Sequence, residues 1–66
     1  MNLDQLAQYC LGMIQDFPAL ENEIKDLYQL ALDEIEQGES APNEIQLCYM
    51  AIEGEVHEYL KFKDNE

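Results

Sequence analysis

The chain has 66 residues, of which 15 are Asp or Glu and only three are Lys, so its formal net charge is −12. A charge of this sign and size repels nucleic acid and anionic membranes, and we expect no direct binding to either. Apolar residues still make up 47% of the sequence, more than acidic disordered segments contain, so we expect a single folded acidic domain over residues 1–66.

The first predicted helix covers about residues 3–16. Its apolar side chains recur at spacings of three and four, which is typical of an amphipathic helix; they are Leu3, Leu6, Cys10, Met13, Ile14 and Phe17. Pro18 has no backbone donor but fits the first turn of a new helix. We therefore expect a tight junction just before it.

The second predicted helix covers about residues 18–37. One face carries its apolar side chains, namely Leu20, Ile24, Leu27, Tyr28, Ala31 and Ile35. Gly38 follows at the position where helices commonly end with a left-handed residue, so we expect it to form the C-terminal cap.

The third predicted helix covers about residues 42–61, with Ser40 as a capping residue and Lys61 near the C-terminal end of the dipole. Its core stripe consists of Ile45, Cys48, Tyr49, Ile52, Val56, Tyr59 and Leu60. Short connections between helices favour antiparallel neighbours. The sequence thus predicts an all-α fold, a small three-helix bundle, with homodimerisation as a way to complete it.

Apolar residues also lie outside these stripes. A helical projection places Leu47, Met50 and Gly54 opposite the core of the third helix, with Glu58 beside them. A glycine costs about 1 kcal/mol inside a helix relative to alanine, and here it would let another backbone approach closely. Scattered exposed apolar residues are also normal in proteins without a partner. The core stripes of the first two helices are also wider than two neighbours require, through Leu11, Leu30 and Leu32. We expect a homodimer to cover these margins, because a second copy supplies a small core most readily, and a groove for a foreign helix is the alternative.

The second helix carries a face rich in carboxylates, including Glu21, Asp33, Glu34 and Glu36. Solubility alone accounts for such a face. The sharper interpretation of this face is mimicry of nucleic acid, in which carboxylates take the places of phosphates. Duplex DNA has one charge per about 1.7 Å, so about 23 Å of helix needs roughly thirteen charges, whereas this helix offers six.

Catalytic and metal-binding patterns are weak. His57 is the only histidine, and with Glu53 it makes two ligands, too few for a closed metal site. Cys10 and Cys48 lie in the apolar stripes, where we expect reduced and unreactive thiols, with a disulfide as the alternative. The sequence predicts no enzyme, no cofactor and no metal.

The function predicted from sequence is a non-enzymatic interaction module or small inhibitor that binds a basic surface of a partner protein. The alternatives are a DNA mimic and a structural homo-oligomeric subunit. The residues predicted to bind the partner are Leu47, Met50, Gly54, Glu58, Glu21, Asp33, Glu34 and Glu36. The first residues carry no basic segment, and no apolar run reaches the roughly 18 residues of a membrane span, so we expect a cytoplasmic protein.

Overall fold

A computed structural model describes residues 1–64, so the last two residues of the predicted domain, 65–66, lie outside it. It contains three α-helices, α1 (Leu3–Asp16), α2 (Glu21–Glu36) and α3 (Ala41–Asp64), with a 3₁₀ turn at Pro18–Leu20. The helices pack on one another, and α2 runs antiparallel to its two neighbours. The predicted all-α three-helix bundle is confirmed.

Two helix boundaries differ from the prediction. The second helix does not start as an α-helix at Pro18, because the Leu20 amide donates to the Phe17 carbonyl at 2.9 Å and closes a tighter 3₁₀ turn. The third helix continues from its predicted end at Lys61 to Asp64. Neither Gly nor Pro follows Lys61 in the sequence, and two lysines in the last turn suit the helix dipole.

A reciprocal pair of hydrogen bonds caps the start of α1. The Gln5 amide donates to Asn2 Oδ1, and the Asn2 amide donates to Gln5 Oε1, both at 2.8 Å. This capping box satisfies two backbone donors that have no partner inside the helix.

The end of α2 is a Schellman motif around Gly38, which has φ of 105°. The Gly38 amide donates to the Ile35 carbonyl, and the Glu39 amide donates to the Glu34 carbonyl, both at 3.0 Å. These bonds satisfy carbonyls that the helix leaves free. The predicted left-handed cap at Gly38 is confirmed, and the Glu44 amide then donates to the Ser40 carbonyl at 2.9 Å as α3 begins.

A small apolar core lies between the three helices and the 3₁₀ turn. Its buried members are Leu6, Cys10, Leu20, Ile24, Ala31, Ile45, Cys48 and Ile52. No polar or charged side chain among residues 1–64 is buried. Aromatic pairs close the α1–α3 side, with Tyr9 and Tyr49 ring centroids 4.7 Å apart and those of Phe17 and Tyr59 6.0 Å apart.

The third helix is longer than the bundle that it joins. At 1.5 Å per residue it extends over about 36 Å, against about 21 Å for α1. The end of α1 is level with Tyr59 through the Phe17 contact, so residues 60–64 project beyond it, and Phe62 is exposed. In the described part of the chain, no helix combines the length and the apolar character that crossing a bilayer requires.

Alanine substitutions at two glycines should have opposite effects on the stability of the fold. Gly38→Ala places a side chain at positive φ and should destabilise the fold by about 1–2 kcal/mol. Gly12 lies inside α1 with nothing within 4 Å of an added Cβ, so Gly12→Ala should stabilise it by up to about 1 kcal/mol. The Tm measured by circular dichroism should fall for Gly38→Ala and rise for Gly12→Ala, by about 4–8 °C for each kcal/mol of change in stability. A rise in Tm for Gly38→Ala would contradict this description of the connection.

Candidate functional site

The apolar residues predicted to face away from the core are at the surface. The exposed fractions of Leu47 and Met50 are 52% and 56%. Gly54 is exposed as well, and a Cβ added there meets nothing within 4 Å. No contact within residues 1–64 therefore requires a glycine at this position.

A cleft of about 270 Å³ lies between α2 and α3. We call it the α2–α3 cleft; its lining residues are Leu27, Leu30, Ala31 and Glu34 from α2, and Glu44, Leu47, Cys48 and Ala51 from α3. Its floor contains the small side chains of Ala31, Cys48 and Ala51, whereas Leu30 and Leu47 stand more than half exposed at its edges. Apolar side chains thus line most of the cleft.

The charged end of this cleft lies where α2 ends and α3 begins. Glu34 and Glu44 are both half-buried there, and no lysine lines the cleft. Glu44 is in the first turn of α3, where the helix dipole favours an anion, but Glu34 is in the last turn of α2, where the dipole disfavours one. A cationic group placed at this end would interact favourably with both carboxylates.

The last turn of α2 has an unfavourable charge pattern. It contains Asp33, Glu34 and Glu36 and no basic residue. Each anion near a helix C-terminus costs about 0.3–1 kcal/mol at the surface. Asp33 accepts a hydrogen bond from Gln29 Nε2 at 3.0 Å, which relieves part of the repulsion. Departures from local rules of this kind concentrate at functional sites.

The structure brings only part of the predicted site together. Leu47 and Glu34 line the α2–α3 cleft, and Met50 is one turn further along α3 on exposed surface. Glu21 lies at the opposite end of α2, where its Oε2 is 3.4 Å from Lys25 Nζ. Glu58 lies on the distal part of α3, where it lines a pocket of about 340 Å³ with His57, Lys61 and Phe62.

Six of the eight residues that line the α2–α3 cleft are not in the predicted site. Leu30 stands at the margin of its helical stripe, and Leu27 was assigned to the core. Glu44 belongs to the next helix, so only the tertiary packing shows that it shares a cleft with Glu34. The signal that the sequence offers is a small residue inside each helix, Ala31 in α2 and Ala51 in α3.

A second cleft, of about 210 Å³, lies between α1 and α2. Its lining includes Leu11, which is 60% exposed, and a single charged residue, Lys25. No carboxylate lines this α1–α2 cleft. Both clefts are therefore apolar, but only the α2–α3 cleft is lined by carboxylates.

The two cysteines are free and buried. Burial raises the pKa of the Cys10 thiol. Burial, followed by the repulsion of Cys10, raises the pKa of Cys48 to about 11. Both thiols therefore stay protonated at neutral pH, and a protonated thiol is a poor nucleophile.

Residues 1–64 hold no group of three or more His, Cys, Asp or Glu side chains arranged to bind a metal ion. His57 lies on exposed surface of α3, beside Glu58 and Phe62. No protein-family model, no curated protein and no solved structure matches the chain.

The raised thiol pKa values predict a loss of stability in alkali. Because folding raises the pKa of Cys48 from 9.0 to about 11, its contribution is complete below pH 9 and falls as the pH rises toward 11. Urea denaturation under reducing conditions should show a smaller loss of stability between these pH values in Cys48→Ala than in the wild type. Cys10 and Tyr9, whose pKa values burial also raises, account for the remainder. Equal losses in the two proteins would contradict the assignment.

Proposed function

We propose that the protein is a non-enzymatic interaction module that binds a basic surface of another protein at its α2–α3 cleft. The observation that carries the proposal is the meeting of two exposed leucines, Leu30 and Leu47, with two half-buried carboxylates, Glu34 and Glu44, in one cleft without a lysine. An apolar centre with a charged margin is the composition of many protein interfaces.

The two kinds of residue have different effects on binding. The net charge of −12 attracts a cationic partner over a distance and raises the association rate. Burial of Leu30 and Leu47 removes apolar surface from water and slows dissociation. A cationic group beside Glu34 also offsets the unfavourable charge pattern at the end of α2.

Charge density argues against a full mimic of duplex DNA. A net charge of −12 on a molecule 43 Å long gives roughly one charge per 4 Å, against about one per 1.7 Å in the duplex. A single copy thus has less than half the required density. A basic protein surface that also receives leucines fits the cleft better than one that binds phosphates alone.

The first test uses a matched pair of variants. Leu47→Asp places a charge in the α2–α3 cleft, and Leu11→Asp places the same charge on an equally exposed leucine of the other cleft. Affinity capture followed by mass spectrometry should yield a basic protein with the wild type and with Leu11→Asp. Leu47→Asp should bind that protein with an affinity at least about tenfold lower. Equal capture by all three proteins, with unchanged helix content, would reject the cleft.

Salt separates the proposed function from mimicry. For the captured partner, the association rate should fall by about tenfold or more between low and high salt, because screening weakens steering. The dissociation rate should change little, because the apolar contacts persist. Surface plasmon resonance measures both rates. A dissociation rate that rises steeply with salt, together with competition by DNA or RNA, would instead support the mimic.

A further inference from the structure

We infer that the α2–α3 cleft accepts one amphipathic, basic α-helix of the partner, which lies along α2 and α3 as the fourth helix of a bundle. This inference rests on the proposed function and adds the secondary structure and charge pattern of the partner segment.

The shape of the cleft suits a helix. Small side chains on the floor, Ala31 and Ala51, allow close approach, while Leu30 and Leu47 flank the space above them. Two antiparallel helices with an apolar furrow between them are the standard receptor for a further amphipathic helix. Packing of this kind requires apolar side chains on the incoming helix at positions i, i+3 or i+4, and i+7.

Hydrogen bonding disfavours an extended peptide. A strand binds by adding its backbone to an exposed sheet edge, and residues 1–64 contain no strand. Along the apolar part of the cleft, the buried backbone groups of an extended peptide would find no hydrogen-bond partners, which is unfavourable. A helix satisfies these groups internally and meets the cleft with side chains alone.

The charged residues indicate which cleft a basic helix binds and favour that helix over a second copy of the chain. The α2–α3 cleft has Glu34 and Glu44 and no lysine, whereas the α1–α2 cleft has Lys25 and no carboxylate. A basic helix therefore binds more favourably at the α2–α3 cleft. A second copy of the chain could instead pair with the first about a twofold axis through the α2–α3 cleft. The interface would then contain Glu34 and Glu44 of both copies and no lysine from the cleft of either copy, so the carboxylates would repel one another.

The length of the cleft sets the minimum length of the segment. The lining runs along α2 from Leu27 to Glu34, about 12 Å. A partner helix of at least about 8 residues spans the cleft, and one of about 16 residues would also cover the rest of α2. Lysine or arginine is required near the end of that helix that reaches Glu34 and Glu44. The partner segment should therefore read as an amphipathic helix with basic residues concentrated toward one terminus.

Three fluorescent peptides of about 16 residues test the inference. The first is an amphipathic helix with leucines on one face and lysines elsewhere, the second has the same composition with the leucines scattered, and the third replaces lysine by glutamate. Fluorescence anisotropy should show the first binding at least about tenfold more tightly than the second, and the third not at all. Amide chemical shifts should change at Leu30, Ala31, Leu47 and Ala51.

Variants of the protein serve as controls in the same assay. Leu47→Asp should weaken binding of the amphipathic basic peptide by about tenfold or more, and Leu11→Asp should leave it unchanged. The double variant Glu34→Gln, Glu44→Gln keeps the shape of the side chains and should weaken binding by reducing the attraction to lysine. Circular dichroism establishes whether each variant remains helical. If Leu47→Asp loses its helix content, the double variant Glu34→Gln, Glu44→Gln tests whether the peptide binds at the cleft.

The outcomes separate the inference from the proposed function. If the scattered basic peptide binds as tightly as the amphipathic basic peptide, the inference of a bound helix is wrong, while the proposal of a basic partner is unaffected. Tighter binding of the acidic amphipathic peptide would overturn both. If no peptide binds at concentrations up to about 1 mM, the helix is overturned, while loss of a captured basic protein in Leu47→Asp would still support the proposed function. Dimerisation through the cleft, detected by light scattering and abolished in Leu47→Asp, would identify a second copy as the occupant.

Discussion

Each helix contributes one fully buried side chain to a common apolar cluster, and the fold depends on that cluster because the chain has little else to hold it together. Leu6, Ile24 and Ile52 are these three residues. Fifteen carboxylates repel one another around them, and a buried carboxylate without a partner would cost several kcal/mol. The described core accordingly contains no charged side chain. Amphipathic helices satisfy both requirements, since one face joins the cluster and the other stays in water.

Much of the fold could be predicted because its determinants are local. Periodic apolar residues predict the three helices, and Gly38 predicts the end of α2, since each signal acts within a few residues. The 3₁₀ turn at Pro18–Leu20 was not predicted, because a proline at the start of a helix is compatible with both i−3 and i−4 hydrogen bonds. The extension of α3 to Asp64 was missed because no stop signal marks the end.

The cleft was predictable only in part. A helical projection is enough to expose Leu47, because the opposite face of α3 must meet the core. Projection does not show which residue of one helix faces which residue of another, so the pairing of Glu34 with Glu44 required the packed structure. The predicted site accordingly included Glu21, at the far end of α2, and omitted Glu44. Distances between helices depend on tertiary packing, which one-dimensional patterns do not contain.

The short connection between α2 and α3 has a consequence for how the acidic end of the cleft meets a ligand. The Glu34 carbonyl accepts the Glu39 amide, and the Ser40 carbonyl accepts the Glu44 amide, so the turn anchors the backbone beside both carboxylates. The backbone that carries Glu34 and Glu44 is thus preorganised during folding. A ligand that engages them need not order this part of the backbone, and less of the interaction energy is lost to conformational entropy on binding.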